Sequence, residues 1–119
     1  HAPVFLLCEG VLMYLSPAQV AAVLREFGER APPGSRFVLD TMSHVAVGMA
    51  RYHPSVGATG AEFLWGLRDL SELTAPHPRL RLLASRSVSE CYGWPGQATE
   101  ALWRPWIATP LYGMVTLGV

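Results

Sequence analysis

The segment that most constrains this fold is residues 3–15, PVFLLCEGVLMYL, an apolar run broken by one carboxylate, Glu9, and the Gly10 after it. A Glu is rarely buried without a partner. Here it stands where an apolar segment ends and the chain must turn. Residues 4–8 are continuously apolar, with the β-branched Val4 and the aromatic Phe5 among them. Continuous rather than alternating apolar character is the pattern of a central strand in a parallel sheet. Gly10 favours a strand that runs into a loop over a short helix. Residues 11–15 continue the apolar character through a turn or a short helical segment.

A helix follows. Ser16 can cap it, Pro17 suits its first position, and Gln19 completes a capping box. Val20, Val23, Leu24 and Phe27 form one apolar face, with Arg25, Glu26, Glu29 and Arg30 on the solvated side. Pro32, Pro33 and Gly34 end it. Residues 36–39, RFVL, are the next strand, closed by Asp40. Strand, helix, strand is a βαβ unit, in which a right-handed crossover joins two parallel strands. Both strands then end in an acid, Glu9 and Asp40. In open α/β sheets ligands bind outside that carboxyl edge.

The rest of the chain reads as further α/β elements. Residues 43–52 suit a helix capped by Ser43 and broken by Pro54, Gly57 and Gly60. Phe63, Leu64, Trp65 and Leu67 make an aromatic-rich patch around Gly66. Residues 69–75 suit a short helix capped by Asp69, with Glu72 three residues on, and residues 76–78 stop it. Residues 80–88 are a third strand, 93–96 a turn, 98–107 a weak helix carrying Trp103 and Trp106, and 111–119 a last strand.

Composition narrows the class. The 119 residues suffice for one domain with a modest core. Nine acidic residues balance nine basic ones, all of them Arg and scattered. Without a basic block or zinc-ligand spacing, the sequence gives no sign of a nucleic-acid partner. The longest apolar run is too short to span a bilayer and lacks the basic lead of a signal peptide. Cys8 and Cys91 make no disulfide framework, so a reduced, cytoplasmic setting is expected. A core-like run with no initiator Met and no polar lead-in reads as a piece cut from a longer protein.

The phrase CEGVLMYL at residues 8–15, a helix, and RFVLD at 36–40 together resemble the leucine carboxyl methyltransferase family, in particular its bacterial polyketide-type O-methyltransferases. FLWGLRD at 63–69, followed by a short helix and a strand, is similar to the same branch. The resemblance implies an α/β fold, the C-terminal half of a Rossmann-like class I methyltransferase sheet. Residues 4–8 would be its fourth strand and 36–40 its fifth. Residues 80–88 and 111–119 would be the last two, the final one inserted antiparallel. It also implies an S-adenosylmethionine-dependent enzyme that methylates a carboxylate or hydroxyl of a small molecule. The glycine-rich turn and the acid that hold the cofactor in the family's N-terminal half are not found here. This chain is therefore expected to lack most cofactor contacts and not to be catalytic alone.

Two residues carry over. Glu9 matches the family's Glu after the fourth strand, a cofactor contact, and a carboxylate suits the cofactor's amino group. From the residues alone, Glu9 could equally cap backbone amides at the turn. Tyr14 matches a position near the substrate crevice, although an aromatic core residue with a wet tip is the commoner use. Asp40 could line the same crevice, but an acid closing a strand reads better as a turn residue or cap. His44 and His53 are the candidate bases, with a surface position the better reading of His44, and His77 reads as loop. A carboxylate acceptor needs no base, because it is already ionised. Phe63, Leu64 and Trp65 could wall an apolar pocket but read better as core packing. Neither cysteine has a cation nearby in sequence to activate it. Two other classes stay open. One is a non-catalytic interaction module whose exposed sheet edge pairs with a partner chain or a second copy. The other is an unrelated small α/β binding domain in which Glu9 is only a turn residue.

Overall fold

The helix forms where its signals stand. In the computed structural model, which describes residues 2–44, 47, 60–87 and 112–119, α1 spans Pro17–Arg30. The Ser16 hydroxyl accepts from the Gln19 N–H and the Gln19 side chain accepts from the Ser16 N–H, so the capping box is complete. The helix packs on a four-stranded mixed sheet built from β1 (Phe5–Cys8), β2 (Arg36–Met42), β3 (Arg81–Ser87) and β4 (Tyr112–Gly118). The spatial order is β1-β2-β4-β3. β1 and β2 are parallel, as a βαβ crossover requires, with Phe5 beside Arg36 and Cys8 beside Leu39. β4, last in sequence, inserts antiparallel between β2 and β3.

Register sorts the side chains into two faces. Leu6, Phe37 and Leu117 line up across the strands, as do Cys8, Leu39 and Val115. This face meets Val20, Leu24 and Phe27 of α1, and Leu12, Trp65, Leu67, Leu73 and Leu80 complete the core. Phe27 and Phe37 meet edge to face with centroids 5.2 Å apart. On the other face stand Phe5, Leu7, Val38, Asp40, Met42, Tyr112, Met114 and Thr116.

Distant residues finish the far end of α1. A helix leaves its last carbonyls without intrahelical donors. The Arg79 guanidinium donates to the carbonyls of Gly28 at 2.9 Å and Ala31 at 3.0 Å. The His77 Nδ1 accepts from the Arg79 N–H at 3.1 Å, so the proton of the neutral ring sits on Nε2, which meets Glu29 at 2.8 Å.

Several expectations need correction. The continuous apolar run at 4–8 pointed to a central strand, but β1 lies at the sheet's edge, with Phe5 69% and Leu7 57% exposed. No other described strand pairs with its outer side. β2 does not close at Asp40. It runs on to Met42, because β4 continues to pair with it as far as Tyr112. Ser43 forms a parallel bridge with Leu67, a pairing the sequence did not announce. The Leu67 N–H donates to the Met42 carbonyl at 2.7 Å and the His44 N–H to the Leu67 carbonyl at 2.8 Å. Residues 69–75 hold a 3-10 turn, Leu70–Leu73, with both capping-box bonds in place. Residues 12–14 form a second 3-10 turn. Apart from His44 and Val47, the rest of the helix expected at 43–52 lies outside the described residues. So do the turn at 93–96, the helix at 98–107, His53, Cys91, Trp103 and Trp106. Among the described residues no helix is long and apolar enough to cross a membrane.

Candidate functional site

The carboxyl ends of the two parallel strands form the candidate site. Glu9 follows β1 directly and is exposed. Gly10 then turns the chain at φ 69°, a left-handed conformation that favours glycine. The Gly10 N–H points at Asp40 and donates to Oδ1 at 3.0 Å and Oδ2 at 2.9 Å. Asp40 is wholly buried inside β2, opposite Met114. Two residues on along the same face, Met42 pairs with Tyr112. This diagonal register lets the Tyr112 hydroxyl reach across and donate to Asp40 Oδ2. One buried carboxylate thus ties the turn after β1 to the first residue of β4. Its hydrogen bonds offset the cost of burying the charge.

The surroundings set the electrostatics. Burial first, then the hydrogen bond to Asp40 and the charges of Asp40 and Glu9, push the Tyr112 hydroxyl well above the ordinary value of 10.0. Burial and the Asp40 charge also raise the Cys8 thiol. Cys8 therefore stays protonated at neutral pH, the opposite of an activated nucleophile. The Tyr112 shift has a stability consequence. A proton held more tightly in the folded state stabilises the fold below the unfolded value, and that stabilisation is lost as pH rises above it. Urea unfolding of the wild type between about pH 9 and about pH 11 should show a steeper loss of stability than Tyr112→Phe. Equal slopes would contradict the bond between Tyr112 and Asp40.

Tyr14 lies beside this edge. Its ring is half-buried against Phe63, with centroids 5.5 Å apart. Met13, Phe63, Tyr14, Met42 and Tyr112 form a small apolar cluster separate from the main core. Phe63 belongs to it, Trp65 belongs to the main core, and Leu64 is 48% exposed. The three do not share one pocket wall. The His44 Nδ1 lies 3.2 Å from the Leu67 carbonyl, which can only accept, so Nδ1 carries the proton and Nε2 is the basic nitrogen. His77 serves the far end of α1, against Gly28 and Glu29. Among the described residues no cluster of three or more His, Cys, Asp or Glu could hold a metal ion.

The structure thus brings Glu9, Asp40 and Tyr14 to one edge with Tyr112, which sequence reasoning passed over. A phenol at the start of a last strand is a weak signal until the register places it across from Asp40. A second feature lies on the other side of β1. An open groove of about 690 Å³ separates β1 from α1, lined by Val4, Leu6, Val23, Phe27 and Ala31. No protein-family model matches the chain, and no curated protein matches it.

Proposed function

We propose that this chain forms one wall of the cofactor crevice of an S-adenosylmethionine-dependent O-methyltransferase that acts on a carboxylate or hydroxyl of a small molecule. The observation that carries the reading is the strand order. Two parallel strands joined by a helix lie beside a last strand inserted antiparallel, and the turn after the first delivers Glu9 to their carboxyl edge. That edge is where open α/β sheets take ligands. An exposed carboxylate held by its backbone fits a cationic or hydroxyl-rich ligand. S-adenosylmethionine, when bound, supplies an electrophilic methyl group. The chain's own part is to orient it through Glu9 and to offer the half-buried ring of Tyr14, backed by the buried Phe63, to the acceptor. A carboxylate acceptor needs no base from the chain.

A site read from one exposed carboxylate binds weakly. Saturation-transfer NMR with millimolar S-adenosylmethionine should show a signal that Glu9→Gln reduces about tenfold in affinity, the scale of one charge-assisted hydrogen bond. Equal signals from both proteins would remove Glu9 from the site. The exposed apolar edge of β1 and the groove beside it favour a second reading, a non-catalytic α/β interaction module. Concentration-dependent self-association without any S-adenosylmethionine signal would select it.

A further inference from the structure

We infer that Asp40 and Tyr112 are a positioning pair that holds Glu9 at ligand height. The inference rests on the methyltransferase reading of Glu9. Among the described residues no hydrogen bond or ion pair restrains the Glu9 side chain, so among them its placement rests on the backbone that carries it. That backbone leaves a four-residue edge strand whose side chains are largely exposed. Edge strands with few buried contacts sit at the low-stability end of a fold. Left to β1, the Glu9 turn would fray with it.

Asp40 prevents this. Both of its oxygens receive the Gly10 N–H, one bond beyond Glu9, and Gly10 is fixed at φ 69°. The carboxylate is itself held on two sides. It sits inside β2, paired with Met114 of β4 and one residue past the last β1 pair, and the Tyr112 hydroxyl on Oδ2 opposes rotation about its last torsion. The turn is thereby referenced to the two central strands, β2 and β4, rather than to the edge. Asp40 need not touch a ligand to govern Glu9. Loosening the clamp adds an ordering cost to every binding event at Glu9.

The test is residue-resolved NMR of the 119-residue chain as wild type, Asp40→Asn and Tyr112→Phe. A carboxamide keeps the shape but puts an NH2 donor in place of one of the two oxygens that receive the Gly10 N–H, and it carries no charge. In Asp40→Asn the Gly10 amide proton should move upfield and exchange about tenfold faster, while the Val115 and Leu117 amides stay protected. Affinity for S-adenosylmethionine, followed at the Glu9 amide, should fall about tenfold, with a smaller fall in Tyr112→Phe. Should Asp40→Asn fail to fold, Tyr112→Phe removes only a hydroxyl and must still speed Gly10 exchange. Unchanged Gly10 exchange in the variants overturns the inference, as does faster exchange with unaltered affinity. A wild type that shows no S-adenosylmethionine response at Glu9 sinks the methyltransferase reading instead, and Gly10 exchange then decides the clamp by itself.

Discussion

Phe37→Ala is expected to destabilise the chain by about 3–5 kcal/mol, the range for emptying a buried aromatic site. Phe37 is 1% exposed and stands in the middle of the covered face, flanked by Leu6 on β1 and Leu117 on β4. Its ring is also the edge-to-face partner of Phe27, and so the main rivet between α1 and the sheet. The change removes packing on three sides at once, and residues on two sheet strands and a capped helix cannot easily collapse into the space. Domains of this size have about 5–15 kcal/mol to lose. Urea unfolding followed by circular dichroism measures the loss, with Phe37→Leu as the control that keeps most of the volume. A shift below about 1 kcal/mol would mean that α1 is not seated on Phe37.

The second large effect is at Gly66. A Cβ there would lie 2.5 Å from the Ser43 carbonyl oxygen and 2.8 Å from the His44 nitrogen. The obstacle is backbone rather than a flexible side chain, so it cannot swing aside. Just past the end of β2 the chain is stitched at this point by the Ser43–Leu67 bridge and by hydrogen bonds between Leu67 and both Met42 and His44. Gly66→Ala should therefore cost about 1–3 kcal/mol, as overpacking does, and speed exchange of the Leu67 and His44 amides. Gly60→Ser serves as the contrast for space, since nothing lies within 4 Å of a Cβ at Gly60. Its φ of 75° leaves only the backbone strain of a left-handed residue, about 1–2 kcal/mol. Unaltered Leu67 exchange in Gly66→Ala would show that the contact is looser than the geometry gives.

Much of the fold was legible in local signals. Ser16, Pro17 and Gln19 marked the start of α1, and Asp69 with Glu72 marked the 3-10 turn, because capping chemistry acts within four residues. The strands at 36–39 and 111–119 were legible as apolar runs. What local pattern could not supply was pairing. The apolar run at 4–8 states that these residues tolerate burial, not that a neighbour is present on both sides, and β1 proved to be an exposed edge. Asp40 looked like a strand-closing acid because an acid inside a strand is costly. It persists there because donors at sequence separations of 30 and 72 residues satisfy it. Gly10 was visible as a turn, but Tyr112 as its indirect anchor was not. The capping of α1 by Arg79, across 48 residues to Ala31, was equally out of reach. Glu9 and Tyr14, the two candidate residues named from the sequence, both stand at the carboxyl edge, while the Asp40 bonds to Gly10 and Tyr112 behind Glu9 were out of reach.

The central claim is that S-adenosylmethionine meets this chain at Glu9. Residue-resolved chemical-shift mapping with the cofactor tests it most directly. The expected result is a Kd of about 1 mM, the affinity of one wall of a site, with shifts confined to Glu9, Gly10 and Tyr14 and lost in Glu9→Gln. Shifts elsewhere, no shifts at Glu9, or shifts that survive Glu9→Gln would contradict the claim.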